Sequence, residues 1–283
     1  MEARIKDFMI LCVCLVAGLS VLSGCAQQNA DDSEAIETLK LAQRANDLHE
    51  LNNLMSLHSW YHAAMMNDVE LEKIWSKRDD ICWAQNSGYW IGPESIKKYY
   101  GVHEDRNNTI GQFAWHTITS SVVEVAEDRQ TAKGVWYTPG IVGGFKNEKA
   151  NFMWMFEKYG VDFVFENGEW KIWHMHVYTD TSWPLNGTIS SRAGMGEMIG
   201  SESAAAASKE TDAKVAGSSS AMMIGMKQPA DISKKNYIEV SPTTEVMLVP
   251  RPPEPYMTWS DTWSYTDPDE YEMFKGAYKE YKE

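Results

Sequence analysis

Residues 161–178 read VDFVFENGEWKIWHMHVY, two runs of aromatic and β-branched residues joined at Asn167-Gly168. Asn-Gly between such runs is a strong hairpin signal, because a type I′ turn needs positive φ at both central residues and this pair tolerates it. Side chains alternate across a strand, so His174 and His176 leave one face on either side of Met175. Regular alternation adds Trp170, Ile172 and Tyr178 to that face. Upstream, residues 113–125, 131–137 and 151–159 have the same aromatic and β-branched texture and read as further strands.

The chain before them is helical in pattern. From Ser33, Leu41, Leu48 and Met55 recur at seven, and Leu51, Leu54, His58, Tyr61 and Met65 follow at three-to-four spacing until Asn67-Asp68. Leu71, Ile74 and Trp75 predict a second, short helix. Residues 81–84 and 89–91 predict a hairpin across Asn86-Ser87-Gly88, and Pro93 opens a third helix with Ile96, Tyr99 and Tyr100. Helices followed by a run of strands imply an α+β domain, with helices on one face of a sheet.

Beyond Asn186 the texture changes. Residues 185–235 are rich in Gly, Ser, Ala and Met without a period and read as a flexible linker. Residues 236–283 are aromatic again, with a helix expected after Asp267-Pro268 and an apolar stripe of Tyr271, Phe274 and Tyr278. A tail this aromatic is expected to pack back on the main domain.

At the other end, Arg4 and Lys6 precede an uncharged apolar run from Phe8 to Leu22 that is short for a membrane span. The run ends in Leu22-Ser23-Gly24-Cys25, which resembles a lipobox. The expectation is a lipoprotein signal peptide over residues 1–24, lipid on Cys25 and a polar tether over 25–33. The protein would then sit lipid-anchored on a cell membrane or outer membrane, outside the cytoplasm. With Cys12 and Cys14 removed and Cys25 lipidated, only Cys82 remains, so no intramolecular disulfide can form. A net charge of −14 argues against nucleic acid as a partner.

Several strings, in this order, resemble the SnoaL-like branch of the nuclear transport factor 2-like superfamily. They are Trp60-Tyr61-His62-Ala63 with Asn67-Asp68, Ile81-Cys82-Trp83, Gly92-Pro93-Glu94-Ser95-Ile96, and Asn167-Gly168-Glu169-Trp170-Lys171-Ile172. The resemblance covers about residues 34–184. It implies a cone-shaped α+β barrel in which three N-terminal helices pack in a curved antiparallel sheet, here with a C-terminal extension. It also implies an apolar pocket for a small hydrophobic molecule, no cofactor, and association of copies through the sheet. Tyr61 falls where dehydratase members carry a pocket tyrosine, and His116 where they carry their catalytic histidine. The aspartate expected five residues after the tyrosine is Met66, and the acid or histidine expected within residues 151–156 has no counterpart.

The candidate acid–base residues are therefore His116, Tyr61, His174 and His176, with Trp83, Trp170 and Tyr178 lining a ligand site. Histidine titrates near neutrality and can act as acid or base, while a protonated tyrosine can hold a developing enolate oxygen. His174 and His176 have three readings: pocket lining, a structural role, or half of a metal site completed by His116. His58 and His62 are expected on a half-exposed helix face, Asp162 towards solvent, and Cys82 as a small buried hydrophobe. Two functions follow from the resemblance. One is a cofactor-free dehydratase or isomerase acting on a steroid, aromatic or polyketide-like molecule. The other is a non-catalytic ligand-binding or protein-interaction lipoprotein.

Overall fold

The computed structural model describes residues 2–100, 109–146, 148–185, 229–237, 240 and 248–268, with side chains from residue 33 onward apart from residues 100 and 146. They fall into two compact units, residues 1–49 and 50–283. Helix α1 (Glu2–Ala63) begins far ahead of the expected start at Ser33, so the backbone of the expected tether is helical. No glycine or proline occurs between Gly24 and Ala63, so nothing in that stretch forces the helix to stop. No helix among the described residues is long and apolar enough to cross a membrane.

In the second unit, α2 (Asn67–Lys73) and the hairpin β1 (Cys82–Gln85) and β2 (Gly88–Ile91) fall where expected, as does α3 (Pro93–Tyr100). The expected strand over residues 113–125 is two strands, β3 (Gln112–His116) and β4 (Thr119–Val125), which pair with successive parts of β5 (Thr131–Lys146). The interruption faces Pro139, which has no N–H to donate to a ladder. Gly160 does not break the next strand, and β6 (Lys149–Glu166) runs unbroken into the hairpin with β7 (Glu169–Pro184). Asn167 and Gly168 both take positive φ, as a type I′ turn requires.

These elements form one curved sheet in the order β3-β5-β6-β7-β1-β2-β8, where β8 is Ile232–Ser233 and β4 lies on the β5 edge. It is antiparallel except that β1 runs parallel to β7. No tight turn joins these two strands, so nothing dictates antiparallel pairing between them. Leu51 and Met55 of α1, Ile96 and Tyr99 of α3, and Trp83, Tyr159, Phe163, Ile172 and Met175 of the sheet are buried, and with Trp75 they form the core on the helix side.

Strand β7 departs from regular alternation. Asp162 pairs with His174 but Phe163 pairs with Ile172, which leaves Trp173 as an extra residue. A bulge of this kind reverses the facing of everything beyond it. Ile172 and Trp170 therefore face the helices, while His174, His176 and Tyr178 face the other way. The expected common face is corrected by that one residue.

On the side away from the helices, Asn236, Tyr237 and residues 263–265 pack against the sheet. Asn236 donates to Gln85 O and accepts from the His176 ring at 3.3 Å, Tyr237 packs on Tyr178, and Tyr265 lies against Gly160. Asp162, 0% exposed, fastens this segment: it accepts from Lys133 Nζ (2.5 Å), His174 Nδ1 (3.0 Å), Ser264 Oγ (2.8 Å) and the Tyr265 amide (3.1 Å). Burial would raise its pKa, but Lys133 and these donors hold it below the ordinary carboxylate value. Lys133 also donates to Trp263 O and lies over the rings of Trp259, Trp263 and Tyr265. Most of the expected linker, residues 186–228, and the expected helix after Pro268 lie outside the described residues.

At Gly160 this packing is close, since a Cβ there would lie 2.6 Å from the Tyr265 ring. Gly160→Ala should lower stability by roughly 1–3 kcal/mol. It should also make residues 248–268 more susceptible to limited proteolysis, which urea denaturation and mass spectrometry of the digest would show.

Candidate active site

The helix-facing side of the sheet gathers a polar cluster inside an aromatic shell. Two residues of α1, His58 and His62, are one helical turn apart and stack with ring centres 5.6 Å apart. His116 ends β3, and its ring meets His62 edge-on at 5.5 Å. Glu157 of β6 lies between Thr138 of β5 and Thr179 of β7 in the sheet register. Its Oε2 is 3.4 Å from His116 Nδ1, and its Oε1 accepts from Thr179 Oγ1 at 2.8 Å. His116 is 5% exposed, and its backbone carbonyl accepts from Ser59 Oγ of α1 at 2.5 Å. The rings of Tyr159 and Trp83 flank His58, at 5.4 and 6.4 Å between centres, and Tyr99 packs on Trp83 and Trp90.

Burial and the neighbouring His116 push the His62 pKa down to about 3, so this imidazole is neutral at physiological pH. Burial raises Tyr99 and Tyr159 well above the ordinary phenol value, and both keep their protons. Both ring nitrogens of His116 are sealed from solvent with no hydrogen-bond partner among the described residues, Nδ1 having only the Glu157 carboxylate at 3.4 Å beside it. A buried nitrogen in that condition is poised for a water or a ligand. The cluster can therefore accept a proton at His116 and donate hydrogen bonds from phenols in a dry, aromatic setting.

Residues 43–176 match the family model described as SnoaL-like domain. This stretch is a SnoaL-like domain. Its fold is the nuclear transport factor 2-like cone, with few helices and a curved sheet. A hexachlorocyclohexane dehydrochlorinase from Novosphingobium barchaimii is similar at 18% identity, over 51% of this chain and 94% of that one, with a TM-score of 0.41. A second hexachlorocyclohexane dehydrochlorinase shows 17% identity over 54% and 97%, with a TM-score of 0.43. An NTF2-like protein with a cystatin-like fold from Novosphingobium aromaticivorans shows 15% identity over 53% and 92%, with a TM-score of 0.39. Comparison with curated protein sequences gives no match.

Of the candidate residues, the SnoaL-like domain brings His116 and Trp83 into this cluster. Tyr61 is half-buried and makes no side-chain hydrogen bond or ring contact with its members. Trp170 faces the helices but packs on Phe165, with ring centres 5.1 Å apart. His174, His176 and Tyr178 are on the opposite face. His174 is held by Asp162 there, and His176 lies between Tyr265 O and Asn236. His116 cannot share a metal with them across the sheet, and among the described residues no three His, Cys, Asp or Glu are placed to hold one. Burial pushes the Cys82 thiol up to about 12, in keeping with a small buried hydrophobe.

The residues that replace them went unassigned in the sequence. Glu157 is a buried carboxylate one position beyond residues 151–156, the segment in which the resemblance implies an acid or histidine. His58 and His62 are legible as an i, i+4 pair on a half-exposed helix face; His62 is indeed half-buried, whereas His58 is fully buried. Glu70, in Val69-Glu70-Leu71-Glu72-Lys73, carries no signal that separates it from a surface residue.

His62 also ties stability to pH. The unfolded residue takes up a proton near 6.5 and the folded one only near 3, so the unfolded state binds more protons between these values. Its contribution is complete above about 6.5 and declines as pH falls towards 3. His62→Gln removes the term, so urea midpoints at about pH 7 and pH 5 should differ less in the variant than in the wild type.

Proposed function

We propose that the SnoaL-like domain is an acid–base enzyme of the dehydratase or isomerase kind. It acts on a small, mostly apolar carbonyl compound of steroid, aromatic or polyketide-like type and is held at the cell envelope by lipid on Cys25. A ligand-binding or dehydratase-like function goes with the SnoaL-like domain itself. The finer reading rests on one observation: a buried imidazole, His116, with a carboxylate 3.4 Å from Nδ1 and no hydrogen bond at either nitrogen among the described residues, beside a neutral His62. Glu157 orients and stabilises the ring as it gains a proton. His116 Nε2 takes the proton from the carbon beside the carbonyl, and the C–H electron pair passes into an enolate. A phenol, Tyr99 or Tyr159, supplies the hydrogen bond that the developing oxyanion needs. This reassigns to the core tyrosines the role first given to Tyr61.

A β-hydroxy aryl ketone and an unconjugated ketosteroid are suitable probes, because dehydration of the first and isomerisation of the second each produce an absorbing enone. His116→Ala should lower the rate by about 10²–10⁴-fold, and Glu157→Gln by less. Ligand-induced thermal stabilisation run alongside identifies the rival. Compounds that stabilise wild type and His116→Ala equally, with no enone formed, would establish a binding protein, the reading that Met66 in place of the family aspartate favours.

The anchor is tested separately. Cys25→Ser should abolish labelling by radioactive palmitate and move the protein from the membrane to the soluble fraction.

A further inference from the structure

The same interior holds a second imidazole of similar build, which the reaction above leaves unused. His58 is 1% exposed, and its Nδ1 lies 2.8 Å from Glu70 Oε1. Trp75 Nε1 donates to that same oxygen at 3.1 Å. Burial works against an ionised Glu70, yet His58 and the two N–H donors outweigh it and hold the carboxyl below its ordinary pKa. A carboxylate accepts a hydrogen and does not offer one, so the Nδ1 position of His58 carries the proton and the ring is fixed by it. Its Nε2 is sealed from solvent and has no hydrogen-bond partner among the described residues. The interior therefore presents two uncommitted Nε2 atoms, on rings that each contact His62, and each ring has a carboxylate behind it.

We propose that His58, backed by Glu70, is the general acid of this site, with His116, backed by Glu157, as its base. The inference rests on the acid–base reading above and narrows its substrate to a β-hydroxy carbonyl compound. The carboxylate contact is shorter at His58 (2.8 Å) than at His116 (3.4 Å), which suits the ring that must hold two N–H bonds. His116 Nε2 removes the proton beside the carbonyl, giving the enolate. The enolate pair then forms the C=C bond as the C–O bond of the neighbouring carbon breaks. His58 Nε2 gives its proton to the departing hydroxyl, which leaves as water. The proton gained by His116 returns to His58 through that water, and the site is restored. Both rings contact neutral His62, at 5.6 Å for His58 and 5.5 Å for His116 between centres.

The two steps can be read apart with a β-hydroxy aryl ketone in heavy water. Proton removal appears as deuterium in the unreacted ketone, and elimination as enone absorbance. His58→Gln should keep deuterium incorporation and lose enone formation by about 10²-fold or more. Glu70→Gln, which leaves the histidine in place, should show the same split in milder form, and His116→Gln should lose both processes. Equal loss of exchange and elimination in His58→Gln, or unchanged elimination, would overturn the assignment while leaving His116 as base. A wild type that neither exchanges nor eliminates would refute the acid–base reading itself, and the assignment with it.

Discussion

Strand β6 carries one buried carboxylate to each face of the sheet, and the rest of the molecule is arranged around keeping both paired. Glu157 and Asp162 are five residues apart, so alternation points them in opposite directions. An isolated buried charge is expensive, and each carboxylate has gathered partners from distant parts of the chain. Glu157 is met by His116 and Thr179 within the domain. Asp162 is met by Lys133 and His174 in the sheet and by Ser264 and Tyr265 from the C-terminal segment.

The two sides put these charges to different uses. Around Asp162 the donors are complete, and Lys133 is enclosed by aromatic rings. An arrangement so fully satisfied fixes the C-terminal segment to the sheet. Around Glu157 and Glu70 the satisfaction is partial: His116 Nε2 and His58 Nε2 have no protein partner among the described residues. Incomplete pairing in an otherwise closely packed interior leaves polar atoms that a water or a ligand could satisfy.

Much of the fold was legible locally. Asn167-Gly168 sets the hairpin because few other pairs accept two positive φ values. Pro93 and the three-to-four spacing set the helices, and the aromatic and β-branched runs set the strands. The site was legible only in part. His116 and Trp83 stood out, whereas His174 and His176 were placed on the wrong face, since a single extra residue, Trp173, inverts the alternation and no sequence period records it. Nothing in the sequence separates Glu70 and Glu157 from surface charges, because burial of a carboxylate depends on which donors arrive from elsewhere.

The sequence by itself thus determined the elements, their order, the α+β class and the acidic, cysteine-poor character of the chain, since propensity, turn chemistry and composition act within a few residues. Tertiary structure alone decided which histidine meets which carboxylate. Those pairings join residues twelve to more than forty positions apart in the case of His58–Glu70 and His116–Glu157, and they are set by strand register and helix docking. Register is a sum over whole strands, and no short stretch of sequence contains it.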